Sequence, residues 1–396
     1  MLEVINLFRE KGTLDELGIG TIRDTLAEHF FPGTSTIQSR ARYFLFIPWL
    51  YGRIESERVP SDRVDRHART LQWRLVQSLQ AGGEGASKGV IGIEAGENLQ
   101  RLPSTIYWQG LRRWGIRQFD GSTDRYHASL DRHYRDEGAA RSSEGGELLD
   151  VRRRNWHGSL PPPPPDLLKR ATFALAATEA EFLSERVRRS SPDSLLAATL
   201  SATVTRQHRA RAPWELGGLN SVPPRLREDI EAARRYSLAM EGAVLLYNLM
   251  LAELTTERAV STDSTRVDRF RRDLDRWADE MEGGLVELRV WDRVAFWDRL
   301  RHLNPRLSPG AVRFSDAWLS LAIAAPRAVR DDPWARVLIR ERERRLKTTL
   351  ARLHNPRALE RWSGESGVGR LTYRWGNAQR VVLDILDGLR QPASTP

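Results

Sequence analysis

Val267, Phe270, Leu274, Trp277 and Met281 follow one another at steps of three, four, three and four residues, the seam of an α-helix packed lengthwise along a neighbour. The same helical period returns at Val64, Ala68, Leu71, Leu75 and Leu79. Helix starts recur along the chain. Thr13 with Glu16 reads as a capping box for a helix through about Phe30, which Phe31-Pro32-Gly33 then breaks. Further helices are expected from Thr34 or Ser35, from Ser61, from Ser104, from the Thr178/Glu181 capping box and from Ser191-Pro192. Pro223 to Leu254 is long enough for one central helix, with Ala239, Gly242 and Ala243 letting another helix come close.

Strand signals are few. Gly89-Val90-Ile91-Gly92-Ile93 reads as one short strand, and the alternation Val286 to Val290 suits a helix equally well. The expected fold class is therefore mainly α, a multi-helix, bundle-like architecture with at most a small β element. Residues 136–165 pass through Ser142-Ser143-Glu144-Gly145-Gly146 to five consecutive prolines, a stiff extended spacer or strap. This Gly/Ser/Pro-rich connection is expected to join an N-terminal helical region, 1–135, to a C-terminal one, 166–396.

The absence of cysteine removes disulfides, thiol nucleophiles and thiolate metal sites together. The longest apolar run, Tyr43 to Tyr51, is far short of the roughly 20 residues of a membrane span. Acidic Glu3 stands where a secretion signal carries basic residues, so the expected location is the cytoplasm, with no membrane partner. The net charge of +10, from 62 Lys+Arg against 52 Asp+Glu, points towards an acidic partner such as nucleic acid. Only Lys11, Lys88, Lys169 and Lys347 are lysines, an arginine skew that a GC-rich coding genome produces unaided. Position is more informative than amount. Residues 186–212 carry Arg186, Arg188, Arg189, Arg206, Arg209 and Arg211 against Asp193 alone, half of the whole excess. Elsewhere arginines interleave with Asp and Glu, as on solvated helix faces.

Several segments resemble an uncharacterised bacterial family known only as a domain of unknown function. They are Leu17 to Asp24, Phe31 to Phe44, Ile106 to Ile116, Asn355 to Trp362 and Leu371 to Trp375, so the resemblance spans nearly the whole chain. It implies no reaction, cofactor or catalytic residue. Through the occurrence of such proteins beside helicases and nucleases in bacterial defence gene clusters, it implies a nucleic-acid-related assembly.

Familiar catalytic patterns fail on their context. Gly85-Ala86-Ser87-Lys88-Gly89 matches the string of a serine-hydrolase elbow, but a helix precedes it and an apolar run follows, the reverse of what the elbow needs. It also lacks the glycine before the lysine, and the Ser or Thr after it, that a phosphate-binding loop requires. No lysine has an acidic residue two positions before it, as two-metal nucleases of the restriction type usually do, and no His-x-Lys occurs. His127, Asp131 and His133 are the densest potential ligands, but His133 points about 200° away from Asp131 at the helical period. Neither a metal nor another cofactor is expected.

Three segments suit an anion. Thr34, Ser35 and Thr36 at an expected helix start, followed by Arg40 and Arg42, would form a phosphate cradle, although hydroxyls there are also ordinary caps. Arg112, Arg113 and Arg117 lie between Trp108, Trp114 and Phe119, the aromatic and basic mixture of single-strand binders. Arg206, His208, Arg209 and Arg211, with Arg186, Arg188 and Arg189 upstream, are the strongest candidates for sequence-independent phosphate contacts. The expected function is a non-catalytic nucleic-acid-binding or scaffolding subunit of a bacterial defence or DNA-processing assembly. The alternatives are a protein-interaction adaptor rich in tryptophan, and an enzyme whose carboxylates, such as Asp120, Asp124 and Asp131, converge only in space.

Overall fold

The computed structural model describes residues 15–93, 101–142, 154–201, 210–258 and 265–392. These residues form a mainly α-helical protein, and no strand occurs among them beyond one isolated bridge between Arg117 and Trp156. The chain divides into two compact units, Met1–His29 with Arg227–Tyr373, and Phe30–Leu226 with Arg374–Pro396. We call them the first and second unit. The first holds α1 (Gly20–Phe30, whose last residue belongs to the second), and the second holds α2 (Tyr43–Ser56), α3 (Val64–Ala81), α4 (Pro103–Arg113), α5 (Thr123–Ser142), α6 (Ala177–Ser190) and α7 (Leu195–Thr199). The first unit continues with α8 (Pro224–Glu257), α9 (Thr265–Gly283), α10 (Leu285–Arg289), α11 (Arg293–Leu303), α12 (Pro309–Ala324), α13 (Pro333–Lys347) and α14 (Pro356–Leu359), and α15 (Trp375–Leu389) returns to the second. Of the expected connection, residues 136–142 and 154–165 are described, and both stretches fall in the second unit.

In the first unit α8 is the central helix, as its sequence leads one to expect. Gly242 has no side chain because the Trp277 ring of α9 occupies the space a Cβ would take. The indoles of Trp277 and Trp318 donate to the α8 carbonyls of Leu238 and Ala239, both at 2.8 Å, so each buries its ring without stranding its N–H. The α9 seam faces inward at Phe270, Leu274, Trp277 and Met281. Among the described residues α8 is also the one helix long and apolar enough to cross a membrane; in the protein most of its apolar stretch is buried.

A charge network fastens the rest of this unit. Glu343 of α13 is fully buried and accepts from the Tyr247 hydroxyl (2.6 Å), the Arg352 and Leu353 backbone N–H groups (2.9 Å each) and Lys347 Nζ (3.3 Å). Glu16 pairs with Lys347 and, at 3.0 Å, with Arg352. Burial pushes the Glu16 carboxyl up, but those two cations outweigh it and hold its pKa below the usual value. Glu16 therefore serves this network, and Thr13, the other half of the expected capping box, lies outside the described residues. The cap of α1 is Asp15, whose carboxylate accepts from Ile19 N at 2.6 Å and Gly20 N at 2.7 Å.

In the second unit α2, Tyr-Phe-Leu-Phe-Ile-Pro-Trp-Leu-Tyr, is buried nearly all round and forms the core. Phe44 stacks on Trp114 at 3.8 Å between centroids, and Tyr43 and Phe44 both meet Tyr107. The proline run straps this core: Trp49 Nε1 donates to the Pro161 carbonyl at 2.6 Å, and Ser78 of α3 binds Leu167 O and Ala171 N beyond it. The helix expected at Thr34 or Ser35 begins instead at Tyr43, and the strand expected at 89–93 is a turn. Ser61 does not cap α3 but exchanges hydrogen bonds with Asp131 of α5. Glu179 rather than Glu181 closes the start of α6, and Ser194 rather than Ser191 caps α7.

Candidate nucleic-acid interface

Helix α6 turns Ala180, Phe182, Leu183 and Val187 inward against α15. At the far end of α15 Gly388 lies so close to α6 that a Cβ would come within 2.7 Å of Ala180 and 2.8 Å of Leu175, so the two helices run antiparallel. That pairing brings the C-terminus of α6 and the N-terminus of α15 to one end. Arg188 and Arg189 occupy the last turn of α6, where they also complement the helix dipole. Residues 202–209, and with them Arg206, His208 and Arg209, lie outside the described residues. The chain resumes at Ala210, whose carbonyl accepts from Trp375 Nε1 at 2.9 Å and Gln379 Nε2 at 2.8 Å, both on α15. Exposed Arg211 follows it, and exposed Arg380 follows Gln379.

The carboxylates at this end are few. Glu185 takes Arg189 at 2.9 Å, and Glu215 accepts the Arg211 backbone N–H at 2.7 Å. Asp384 is engaged by Arg40 at 2.8 Å and by Ala41 N at 2.8 Å; burial raises its pKa, with Arg40 opposing. Among the described residues no carboxylate pairs with the side chains of Arg188 or Arg211, whereas Arg380, one turn before Asp384, adds to the charge that opposes the rise in the pKa of that carboxyl. The charge of the units agrees. The second carries 32 Lys+Arg against 23 Asp+Glu, or +9, and the first 30 against 29, or +1.

Arg186 departs from its neighbours. It is buried, and its Nη1 donates to His157 Nε2 at 2.7 Å. Burial, then the Arg186 charge, lowers the His157 pKa, so this imidazole stays neutral and accepts. Arg186 is a packing element and offers no surface charge.

The other two expected anion sites are taken up by the chain itself. No helix opens at Thr34: its hydroxyl and N–H both donate to Phe31 O, Ser35 N donates to Gln38, and Ser39 N and Arg40 N donate to the Tyr107 hydroxyl. The Thr36 carbonyl is held by Asn377 of α15. Arg40 is spent on Asp384, and Arg42 is buried against Glu179 at 2.8 Å and Thr172 O at 2.9 Å. In the second segment Trp108 and Trp114 are core residues rather than stacking platforms. Arg117 lies over the Trp108 ring and is buried among the carbonyls of Trp108, Phe119 and Gly121, and burial lowers its pKa to about 10. Arg112 sits 3.6 Å from Asp120, and Arg113 is exposed.

His127 Nε2 lies 3.0 Å from the buried Tyr51 hydroxyl, while Asp131 binds Ser61, and no group of three ligands that could hold a metal ion occurs among the described residues. Burial lowers the His127 pKa. Lys88 at the glycine-rich turn donates to Gly83 O, with no strand before it.

A family model described as a family of unknown function, DUF6361, matches residues 2–388, across both units. The chain belongs to that family. No curated protein and no solved structure matches it. Membership of DUF6361 assigns no role to any residue, so the reading of this interface rests on charge and geometry. Arg380 escaped the sequence reading because it stands alone in α15, 169 residues beyond Arg211; only the antiparallel pairing gathers them.

Proposed function

We propose that this chain is a non-catalytic nucleic-acid-binding or scaffolding subunit whose second unit contacts backbone phosphates through Arg188, Arg189, Arg211 and Arg380. Arg206, His208 and Arg209 extend the same basic stretch in sequence. The observation that carries the reading is the concentration of charge: +9 of the net +10 belongs to one unit, with exposed Arg188 and Arg211 at one end of a helix pair and in no ion pair with a carboxylate among the described residues. Such arginines neutralise phosphates without reading sequence, and their affinity falls with salt as counterions are released. Action within a bacterial defence or DNA-processing assembly comes with the family resemblance, and both it and action in the cytoplasm are part of the proposal.

Fluorescence anisotropy with duplex DNA, single-stranded DNA and RNA at several salt concentrations tests it. The triple variant Arg188→Ala, Arg211→Ala, Arg380→Ala should weaken binding and reduce the salt slope by about one for each phosphate that is no longer neutralised. No salt-sensitive binding to any of the three nucleic acids would sink the proposal. A protein-interaction adaptor is favoured by one observation, the row Val286, Val290 and Val294, which are 80%, 78% and 71% exposed. On that reading Asp substitutions along the row abolish complex formation with a partner and leave nucleic-acid binding intact.

A further inference from the structure

Ten of the 13 tryptophans are buried, whereas Trp334 is 75% exposed. Its backbone is fixed: Asp332 caps α13 by accepting from Trp334 N at 2.7 Å and Ala335 N at 2.9 Å. Ala335, Ile339 and Glu343 form the buried face of this helix, so its outer face carries Trp334, Val337, Arg340, Glu341, Arg344 and Arg345. Glu341 is taken by Arg344 at 2.7 Å. Among the described residues no carboxylate pairs with Arg340, and Arg345, one turn beyond Glu341, shares with Arg344 in holding the pKa of that carboxyl down. At 1.5 Å of rise per residue, Arg340 stands about 9 Å and Arg345 about 16 Å along the helix from Trp334.

We propose that this outer face of α13 binds single-stranded nucleic acid, with a base stacked on Trp334 and the following phosphates on Arg340, Arg344 and Arg345. An exposed aromatic ring followed by guanidinium groups matches the alternation of base and phosphate along a single strand. A duplex keeps its bases paired and stacked, and offers such a ring nothing to stack on. An apolar protein partner would need more than Trp334 and the 43% exposed Val337, because the rest of the face is charged. The inference deepens the nucleic-acid reading, but its residues lie in the first unit and none belongs to the α6–α15 end.

The test uses the full chain, a labelled oligothymidylate and a labelled duplex of equal length. Trp334→Ala should weaken single-strand binding about tenfold, within the range for the removal of one base stack, and leave duplex binding unchanged. Trp334→Phe should recover most of that affinity, and R340E with R345E should reproduce the weakening. The side chain is exposed, so these variants should keep the wild-type circular dichroism and melting temperature. Unchanged single-strand affinity, or equal weakening on duplex and single strand, overturns the α13 site while salt-sensitive duplex binding through Arg188, Arg211 and Arg380 still stands. Loss of binding to polyglutamate in place of oligothymidylate makes the occupant an acidic polypeptide and also overturns it. Wild-type protein that binds neither nucleic acid overturns both readings.

Discussion

Glu343→Ala is the sharpest perturbation of the first unit. The carboxylate has no solvent exposure and carries four interactions: the Tyr247 hydroxyl, two backbone N–H groups at Arg352 and Leu353, and Lys347. Removing it strands three buried donors, each worth about 1–3 kcal/mol when unsatisfied, and leaves Lys347 and Arg352 facing Glu16 alone. These penalties overlap, because the groups share one site and Tyr247 can reorient. The total should therefore be close to the 3–5 kcal/mol typical of breaking one half of a buried pair. For a domain of roughly 150–250 residues this lowers the melting temperature by about ten degrees. Glu343→Gln keeps one acceptor but sets an amide N–H against a backbone N–H, so it should fall between alanine and wild type. Glu341→Ala, two residues away on the outer face in an exposed pair with Arg344, is the control and should leave the melting curve unchanged. Thermal and urea unfolding followed by circular dichroism provide the measurement. A Glu343→Ala protein melting within two degrees of wild type would refute the view that this carboxylate holds the unit together.

Acidification should destabilise the second unit, since burial lowers the pKa of both His127 and His157. The unfolded chain then binds more protons than the folded one, so this stability is intact above about 6.5 and is lost as pH falls towards the folded values. His127→Gln with His157→Gln should flatten that part of the profile in pH-dependent melting; an unchanged profile would count against it. Gly242→Ala should cost about 1–3 kcal/mol because the new Cβ collides with Trp277. Gly376→Ala in α15 meets nothing within 4 Å and should stabilise by about 0.5–1 kcal/mol. Opposite signs in urea unfolding would confirm the packing assignment, and equal signs would contradict it.

The helices were legible wherever a seam or a glycine spoke for itself. Val64, Ala68, Leu71, Leu75 and Leu79 are all buried on α3, and the space at Gly242 is filled by a neighbouring helix. Caps were less legible, because short-range chemistry offered rivals that only tertiary structure resolves. Glu16 fits a capping box by spacing, yet two cations more than 300 residues away claim it, and Asp15 takes over the cap. Ser61 likewise yields to a partner 70 residues away on α5. The stretch from Thr34 forms no helix because its N–H groups find Gln38 and Tyr107, so nothing is left for helical bonds to satisfy.

For the candidate sites the same physics decides which arginines can serve a ligand. Local sequence puts Arg186, Arg188 and Arg211 on equal standing, since each sits in a stretch poor in acidic residues. The helical period separates the first two: Arg186 falls on the buried face with Phe182 and Val187, whereas Arg188 turns outward. Arg117 and Arg42 show the other fate of a guanidinium among aromatic residues, which is to surrender its donors to carbonyls or one carboxylate and pack its plane on a ring. Counting basic residues therefore overestimates a phosphate-binding surface in an arginine-rich chain. What distinguishes Arg188 and Arg211 is that they combine exposure with the lack of a carboxylate partner among the described residues, while Arg380 is exposed but shares Asp384 with Arg40. Exposure is the decisive variable on α13 too, where Trp334 presents its ring to solvent while ten other tryptophans are folded into the core.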